Sequence, residues 1–326
     1  MSAEARPAPT TFYREIARNR RRSWLLVAAV VVTLGLLGGA IGYATGFGWG
    51  GIVLAVVIAA VMSVGSYYAG DALVMATSGA REIDPAKEPP DRYRQFVNVA
   101  EEMRLAGGLP RPRLWVIDDS APNAFATGRD PKHASIAVTT GLLDKLDREE
   151  LQGVVGHEMS HIGNLDIRFT LLVGVLVGAI ALLADWFLRF TFWGGGRRSS
   201  SDSDRGGGGA AALIFILALV LAVVAPLIGR IVQAAVSRSR ESLADSTAVE
   251  LTRNPLGLAR ALRTISDDPE VLEVANRATQ HLYIVNPIKS FEERAKSLWD
   301  THPPIGERVR NLENIAGQMR LARPDR

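Results

Sequence analysis

From Ser23 to Gly70 the chain carries no Lys, Arg, Asp, Glu or His, a run of 48 residues (70 − 23 + 1). A helix needs about 20 apolar residues to cross the hydrocarbon core of a bilayer, and in lipid every backbone polar group must be bonded within the chain. A run of this length therefore reads as two helical crossings, residues 24–70. The glycine-rich stretch Gly46–Gly51 is the expected turn, with Phe47 and Trp49 suited to the interface where aromatic rings settle. Basic residues ahead of the run imitate a signal peptide. The run is too long for an h-region and passes straight into a second span, so it is expected to remain as a hairpin.

Two further apolar runs follow, residues 167–192 and 211–235, and the composition agrees with a membrane protein at 48% hydrophobic and 22% charged. Asp185 and Arg189 interrupt the first of them. The second hairpin either crosses fully with those charges near the interface or enters the bilayer in part. Arg6, Arg14, Arg18, Arg20, Arg21 and Arg22 precede the first span, while the short loop after it is uncharged. The positive-inside rule places the basic segment 1–23, the polar segment 71–166 and the tail 236–326 in the cytoplasm. The Gly/Ser-rich linker 193–210 lies on the far side. A formal charge of +3 is too small to indicate nucleic acid, and the arginines line membrane flanks, so the expected partner is the lipid bilayer of the cell membrane.

Segment 71–166 is of mixed structure. Tyr93, Phe96, Val97, Ala100 and Met103 share one face of a helix over 91–105, stopped at Gly107-Gly108. Leu114–Ile117, Ala124–Ala126 and Ile136–Val138 read as short strands between turn residues. Asp147 followed by Glu150 forms the pattern of a capping box opening a helix through Ile162. The tail reads as mostly helical, with Asn254-Pro255 and Asp268-Pro269 as helix starts. The expected fold class is α+β, mainly helical: a small cytosolic domain with a small β-sheet, split by an apolar hairpin and anchored by two transmembrane hairpins.

The chain has no cysteine, which excludes thiolate ligands, iron–sulfur clusters and a cysteine nucleophile, and it has five histidines. Two of them fall in His157-Glu158-Met159-Ser160-His161 on the capped helix. Histidines at i and i+4 share a face and reach one metal ion, while Glu158 can address a metal-bound water without being a ligand. Such a zincin-type HExxH helix suits zinc, with one open position for hydrolysis. A third histidine ligand would require Gly at 164 and His at 167, where the chain has Asn164 and Ile167. Glu241 is the candidate third ligand, with Asp245 one turn on able to accept the ring N–H of a ligating histidine. The alternative is a solvated helix face on which Arg240 and Glu241 are surface charges.

These residues, together with Ser78-Gly79-Ala80-Arg81-Glu82, Pro122-Asn123-Ala124-Phe125-Ala126-Thr127-Gly128, Asn164 with Asp166, and Thr301-His302-Pro303-Pro304, resemble the HtpX family of membrane zinc endopeptidases. That family belongs with the CAAX prenyl endopeptidases. The resemblance covers essentially the whole chain. It implies one Zn2+ held by His157, His161 and Glu241, Glu158 as catalytic base, a cytoplasmic site, and a role in quality control of damaged or misfolded membrane proteins. Asn123, Ala124, Phe125 and Ala126 would form an edge strand receiving an extended substrate backbone, or else an interior strand with a turn. His302 either lends a hydrogen bond to the tetrahedral intermediate or simply opens the last helix, with Arg308 in an ordinary ion pair. His133 and His281 have no partner at metal spacing. The site must lie close to the membrane surface, since five residues separate His161 from Ile167. Two rival readings stand beside the endopeptidase: a prenyl-protein processing peptidase, and a zinc-binding membrane scaffold without activity. An intact Glu158 speaks against the scaffold.

Overall fold

The structure is a computed structural model that describes residues 34–40, 48–84, 91–171, 240–270 and 304–321, with scattered positions outside these ranges. Part of the first expected crossing, most of 172–239 including the linker 193–210, and His281 and His302 lie outside the described residues.

The described chain is mainly helical around one small mixed sheet. Helix α1 (Gly50–Thr77) leads into β1 (Arg81–Ile83), α2 (Asp91–Gly107), β2 (Arg113–Ile117), β3 (Ala124–Gly128) and β4 (Ala134–Thr139). A short α3 (Thr140–Lys145) and α4 (Arg148–Gly163) follow. After the apolar run come α5 (residues 240–252), α6 (Pro255–Asp267) and α7 (Ile305–Leu321).

Among the described residues the sheet has the order β1-β2-β4-β3. β2 and β4 are parallel, with Leu114 opposite Ile136, and β3 runs antiparallel to β4, with Ala126 opposite Ile136. Three strands match the expected runs, lengthened by one, two and three residues in turn. β1 was not anticipated: it has three residues, two of them exposed, too few for alternation to show.

Side chains alternate across the sheet. Leu114, Val116, Ala124, Ala126, Ile136 and Val138 face the larger core, together with Phe96, Ala100 and Met103 of α2. Phe125 and Ala137 face the other way, against Met75 at the end of α1 and Leu272. Both faces are covered, which is why every residue of β3 is buried. The larger core also takes Ala248 and Val249 of α5, Leu258 and Leu262 of α6, and Val309 and Leu312 of α7, so residues on both sides of 167–239 share it.

Helix boundaries follow local chemistry. Gly108 ends α2 in the left-handed region at φ +61°. The Asp147 carboxylate accepts from the Glu150 N–H at 2.8 Å and the Glu150 side chain accepts from the Asp147 N–H at 3.0 Å, the reciprocal box that opens α4. The Asn254 side chain accepts from the Gly257 N–H, and Pro255 occupies the first turn of α6. Asp268, expected to open a helix, instead closes α6, and its carboxylate lies 2.6 Å from Lys145 Nζ.

α1 has 28 residues, about 42 Å at 1.5 Å per residue, and exposes Val53, Leu54, Val57, Val61, Val64 and Tyr68. Its side chains at 59, 62, 63 and 66 are not described, and among the described residues no helix is long and apolar enough to cross a membrane.

α4 and α6 cross at backbone contact. A Cβ on Gly153 would lie 2.6 Å from Leu258 N, and one on Gly257 would lie 2.6 Å from Glu149 O. Overpacking of this kind costs roughly 1–3 kcal/mol. Gly153→Ala should therefore lower the thermal midpoint of the detergent-solubilised protein. Gly317→Ala, at an exposed α7 position with nothing within 4 Å of the new methyl, should leave it unchanged or raise it.

Candidate metal centre

α4 is buried on nearly every side, and its C-terminal half carries His157, Glu158 and His161. The two rings sit one turn apart, with centroids at 4.7 Å and planes at 88°, and their Nε2 atoms are 3.1 Å apart. α5 approaches α4 closely at Gly156, where an added Cβ would lie 3.7 Å from Ala248 Cα. That approach brings Glu241 into the site: Oε2 stands 3.4 Å from His157 Nε2 and Oε1 stands 3.6 Å from His161 Nε2.

Donors on ligand bonds of about 2.0–2.1 Å at tetrahedral angles stand about 3.3–3.4 Å apart. The observed separations bracket that value, and one ligand atom from each of His157, His161 and Glu241 falls within 4.8 Å of the others. The donor set fits a divalent ion with nitrogen and oxygen ligands and room for one more.

Each histidine is backed by a carboxylate. His157 Nδ1 lies 3.0 Å from Asp245 Oδ1, and His161 Nδ1 lies 3.1 Å from Asp166 Oδ2. Bonds at Nδ1 fix the tautomer and leave Nε2 for the ion. Arg308 reaches in from α7, donating to Asp245 at 2.9 and 2.6 Å and to the Ile284 carbonyl at 3.4 Å, with Nη1 3.2 Å from Glu241 Oε2. Its side chain is 2% exposed. The alternative in which Arg308 makes an ordinary ion pair finds it paired, with Asp245 and Glu241, but deeply buried. The difference arises because α7 packs against the core through Val309 and Leu312, which carries Arg308 inward with them.

Among the described residues, the buried charges around the two imidazoles are Glu158, Asp166, Glu241 and Asp245 against Arg240 and Arg308. With neutral imidazoles that leaves 4 − 2 = 2 negative charges, an excess that a divalent cation offsets. Burial and the neighbouring Arg308 charge push His157 down, but Asp245 and Glu241 outweigh them and hold it at about 9. Asp245 is pushed up by burial and pulled further down by Arg308 and His157, so it stays ionised. Burial raises Glu158 above the usual carboxylate range against the pull of His157 and His161.

Glu158 points at the sheet, where its carboxylate accepts from the Ala126 N–H. β3 pairs only with β4 among the described strands, and the Asn123 carbonyl accepts from the Thr139 N–H at 3.0 Å. By the alternation of an antiparallel ladder, Ala124 and Ala126 turn their backbone groups to the open edge. The Ala124 carbonyl is taken there by the Ile284 N–H at 2.9 Å. Phe125 is packed into the second face of the sheet. His133 is exposed beside Asp130, at 2.8 Å.

Sequence reasoning missed the buried placement of Arg308 and the contact of Asp166 with His161. No pattern marks Arg308, since only the packing of α7 buries it. Asp166, five residues after His161, was a findable signal.

Residues 90–316 match Peptidase family M48. The chain is 44% identical over 304 residues to a protease HtpX homolog of Streptococcus thermophilus, covering 93% of this chain and 99% of that protein. It is 42% identical over 309 residues to a protease HtpX homolog of Thermoanaerobacter pseudethanolicus, covering 94% and 98%. A crystal structure of S. mikatae Ste24p overlays with a TM-score of 0.44 at 17% identity, over 91% of this chain and 65% of that one.

With His157 as one of the donors, which must be neutral to bind an ion and is held at about 9 without one, apparent Zn2+ affinity should rise with pH, by up to tenfold per unit, and level off near 9. Calorimetry at pH 7.5 in buffers of different ionisation enthalpy should show about one proton released per ion bound.

Proposed function

On the premise that the chain belongs to peptidase family M48, and is a metalloprotease of the HtpX type, we propose that it is a membrane-bound, zinc-dependent endopeptidase acting at the cytoplasmic surface. We take His157, His161 and Glu241 as the zinc ligands. The observation that carries this reading is the near-tetrahedral spacing of those donors beside a buried carboxylate, Glu158.

When bound, the ion lowers the pKa of a water and polarises the scissile carbonyl. Glu158 takes the proton of the attacking water on its carboxylate and passes it to the leaving amine nitrogen. Burial raises its pKa above the usual carboxylate range, which favours its passing the proton on after taking it. The Ala126 N–H keeps that carboxylate facing β3. No nucleophilic side chain is needed, so no acyl-enzyme forms.

We take Asn123–Ala126 as the strand beside which an extended substrate backbone lies. A substrate strand pairing at Ala124 competes with Ile284 for its carbonyl. His302 is assigned a supporting role toward the tetrahedral intermediate, on resemblance alone.

For the membrane, the support is the uncharged run 23–70, the exposed apolar side chains of α1 and the arginines ahead of it. The segments 24–70, 167–192 and 211–235 are taken as the membrane part, with 71–166 and 236–326 forming the catalytic part in the cytoplasm. A site so close to residue 167 favours membrane-associated polypeptides as substrates, including misfolded ones.

The test is breakdown of casein by the detergent-purified protein. Chelator should abolish it and Zn2+ restore it. Glu158→Gln should bind Zn2+ as the wild type does and lose at least about 10²–10⁴-fold in turnover. Turnover at the wild-type rate by that variant would overturn the mechanism. Cleavage of prenylated peptides alone would favour a processing peptidase over the endopeptidase.

A further inference from the structure

α4 ends at Gly163, and Leu165 two residues later stands in the left-handed region at φ +61°. For a residue with a Cβ that conformation costs roughly 1–2 kcal/mol, and such strain persists only where the surrounding structure enforces it. Here the turn brings the next residue, Asp166, back along the helix to His161. The Asp166 carboxylate is buried and makes two contacts from its two oxygens. Oδ2 lies 3.1 Å from His161 Nδ1, and Oδ1 lies 3.5 Å from Nε of Arg240.

Arg240 comes from the other side of the long apolar run. It immediately precedes Glu241, and its guanidinium is buried against the face of Phe169, 3.5 Å from the ring centroid. Phe169 belongs to the helical turn that begins at Asp166. Residues on either side of 172–239 are thus joined at one point by an ion pair and a cation–π contact.

Within the metal-site reading above, on which this inference rests, we propose that Asp166 and Arg240 form a positioning clamp. Asp166 orients His161 through Nδ1, and its pairing with Arg240 sets the start of α5 so that Glu241 stands opposite the two histidines. His157 has the parallel arrangement in Asp245 and Arg308, but there the arginine comes from α7. The Asp166–Arg240 pair differs in joining the two ends of residues 167–239 to the metal centre. A shift of either end relative to the other reaches His161 and Glu241 together. Neither residue touches the reacting atoms.

The experiment uses the full-length protein in detergent, stripped of metal, with Zn2+ affinity read by competition against a chromophoric chelator and Co2+ binding read by its visible spectrum. Carboxylates behind a ligating histidine are worth about 10–100-fold in metal affinity. Asp166→Asn should weaken Zn2+ binding by that factor and alter the Co2+ spectrum. Arg240→Gln should weaken binding in the same direction and Arg240→Lys should restore most of it. The double variant Asp166→Asn, Arg240→Gln should bind no worse than the weaker single one, because the two act as a unit. With casein as substrate at saturating Zn2+, kcat should fall and KM should hold.

A merely structural role would lower the thermal midpoint of the metal-free protein and leave Zn2+ affinity and the Co2+ spectrum as in the wild type. That result overturns the clamp. Glu241→Ala separates the two readings. If it loses Zn2+ while Asp166→Asn and Arg240→Gln keep wild-type affinity, the clamp fails and the metal site stands. If Glu241→Ala itself binds as the wild type does, the ligand assignment fails and the clamp falls with it. Should Asp166→Asn not fold, the contrast between Arg240→Gln and Arg240→Lys decides in the same terms.

Discussion

Burying ionised groups is the most expensive thing this chain does, and the described structure is organised around making it tolerable. Around His157 and His161, four carboxylates and two guanidiniums are held away from water. An isolated charge in such a place would be neutralised or expelled. Here each has a partner within reach: Asp245 with Arg308 and His157, Asp166 with His161 and Arg240, Glu241 with both histidines and Arg308, and Glu158 with the Ala126 N–H. The negative excess that remains is what makes the cluster a receptor for a cation.

The rest of the fold serves that cluster. α4 needs burial on nearly every side, which the sheet, α2 and α6 provide, and the near absence of side chains at Gly153 and Gly257 lets α6 press against it. α5 and α7 contribute Glu241, Asp245 and Arg308 from beyond the long apolar run. A candidate metal centre assembled from both sides of the long apolar run ties its geometry to the packing of both flanks of that run. Its neighbour, the edge of β3 that β4 does not cover, lies where the Ala126 N–H meets Glu158.

Local structure was legible wherever side chain and backbone cooperate over a few residues. The capping box at Asp147 and Glu150, the Asn254 cap before Pro255, the glycine stop after α2 and three of four strands follow from spacing and turn chemistry. β1 was not legible, because three residues with two exposed carry no periodic signal. Asp268 was misread for a related reason: Asp-Pro can close a helix as readily as open one, and its contact with Lys145, 123 residues earlier, decides which.

From the sequence alone came the HExxH helix, the candidate third ligand Glu241, its companion Asp245, and the expectation of a membrane anchor. Each rests on a short-range rule: i to i+4 geometry, the absence of cysteine, or the absence of charge over a bilayer's length. What only the tertiary structure decided was the company those residues keep. Arg308 looks like any basic residue on an amphipathic helix until Val309 and Leu312 draw it inward. Arg240 looks like a surface charge until Phe169 and Asp166 close over it. Charge, unlike periodicity, carries no mark of its burial along the chain, because burial is set by which distant helices pack together.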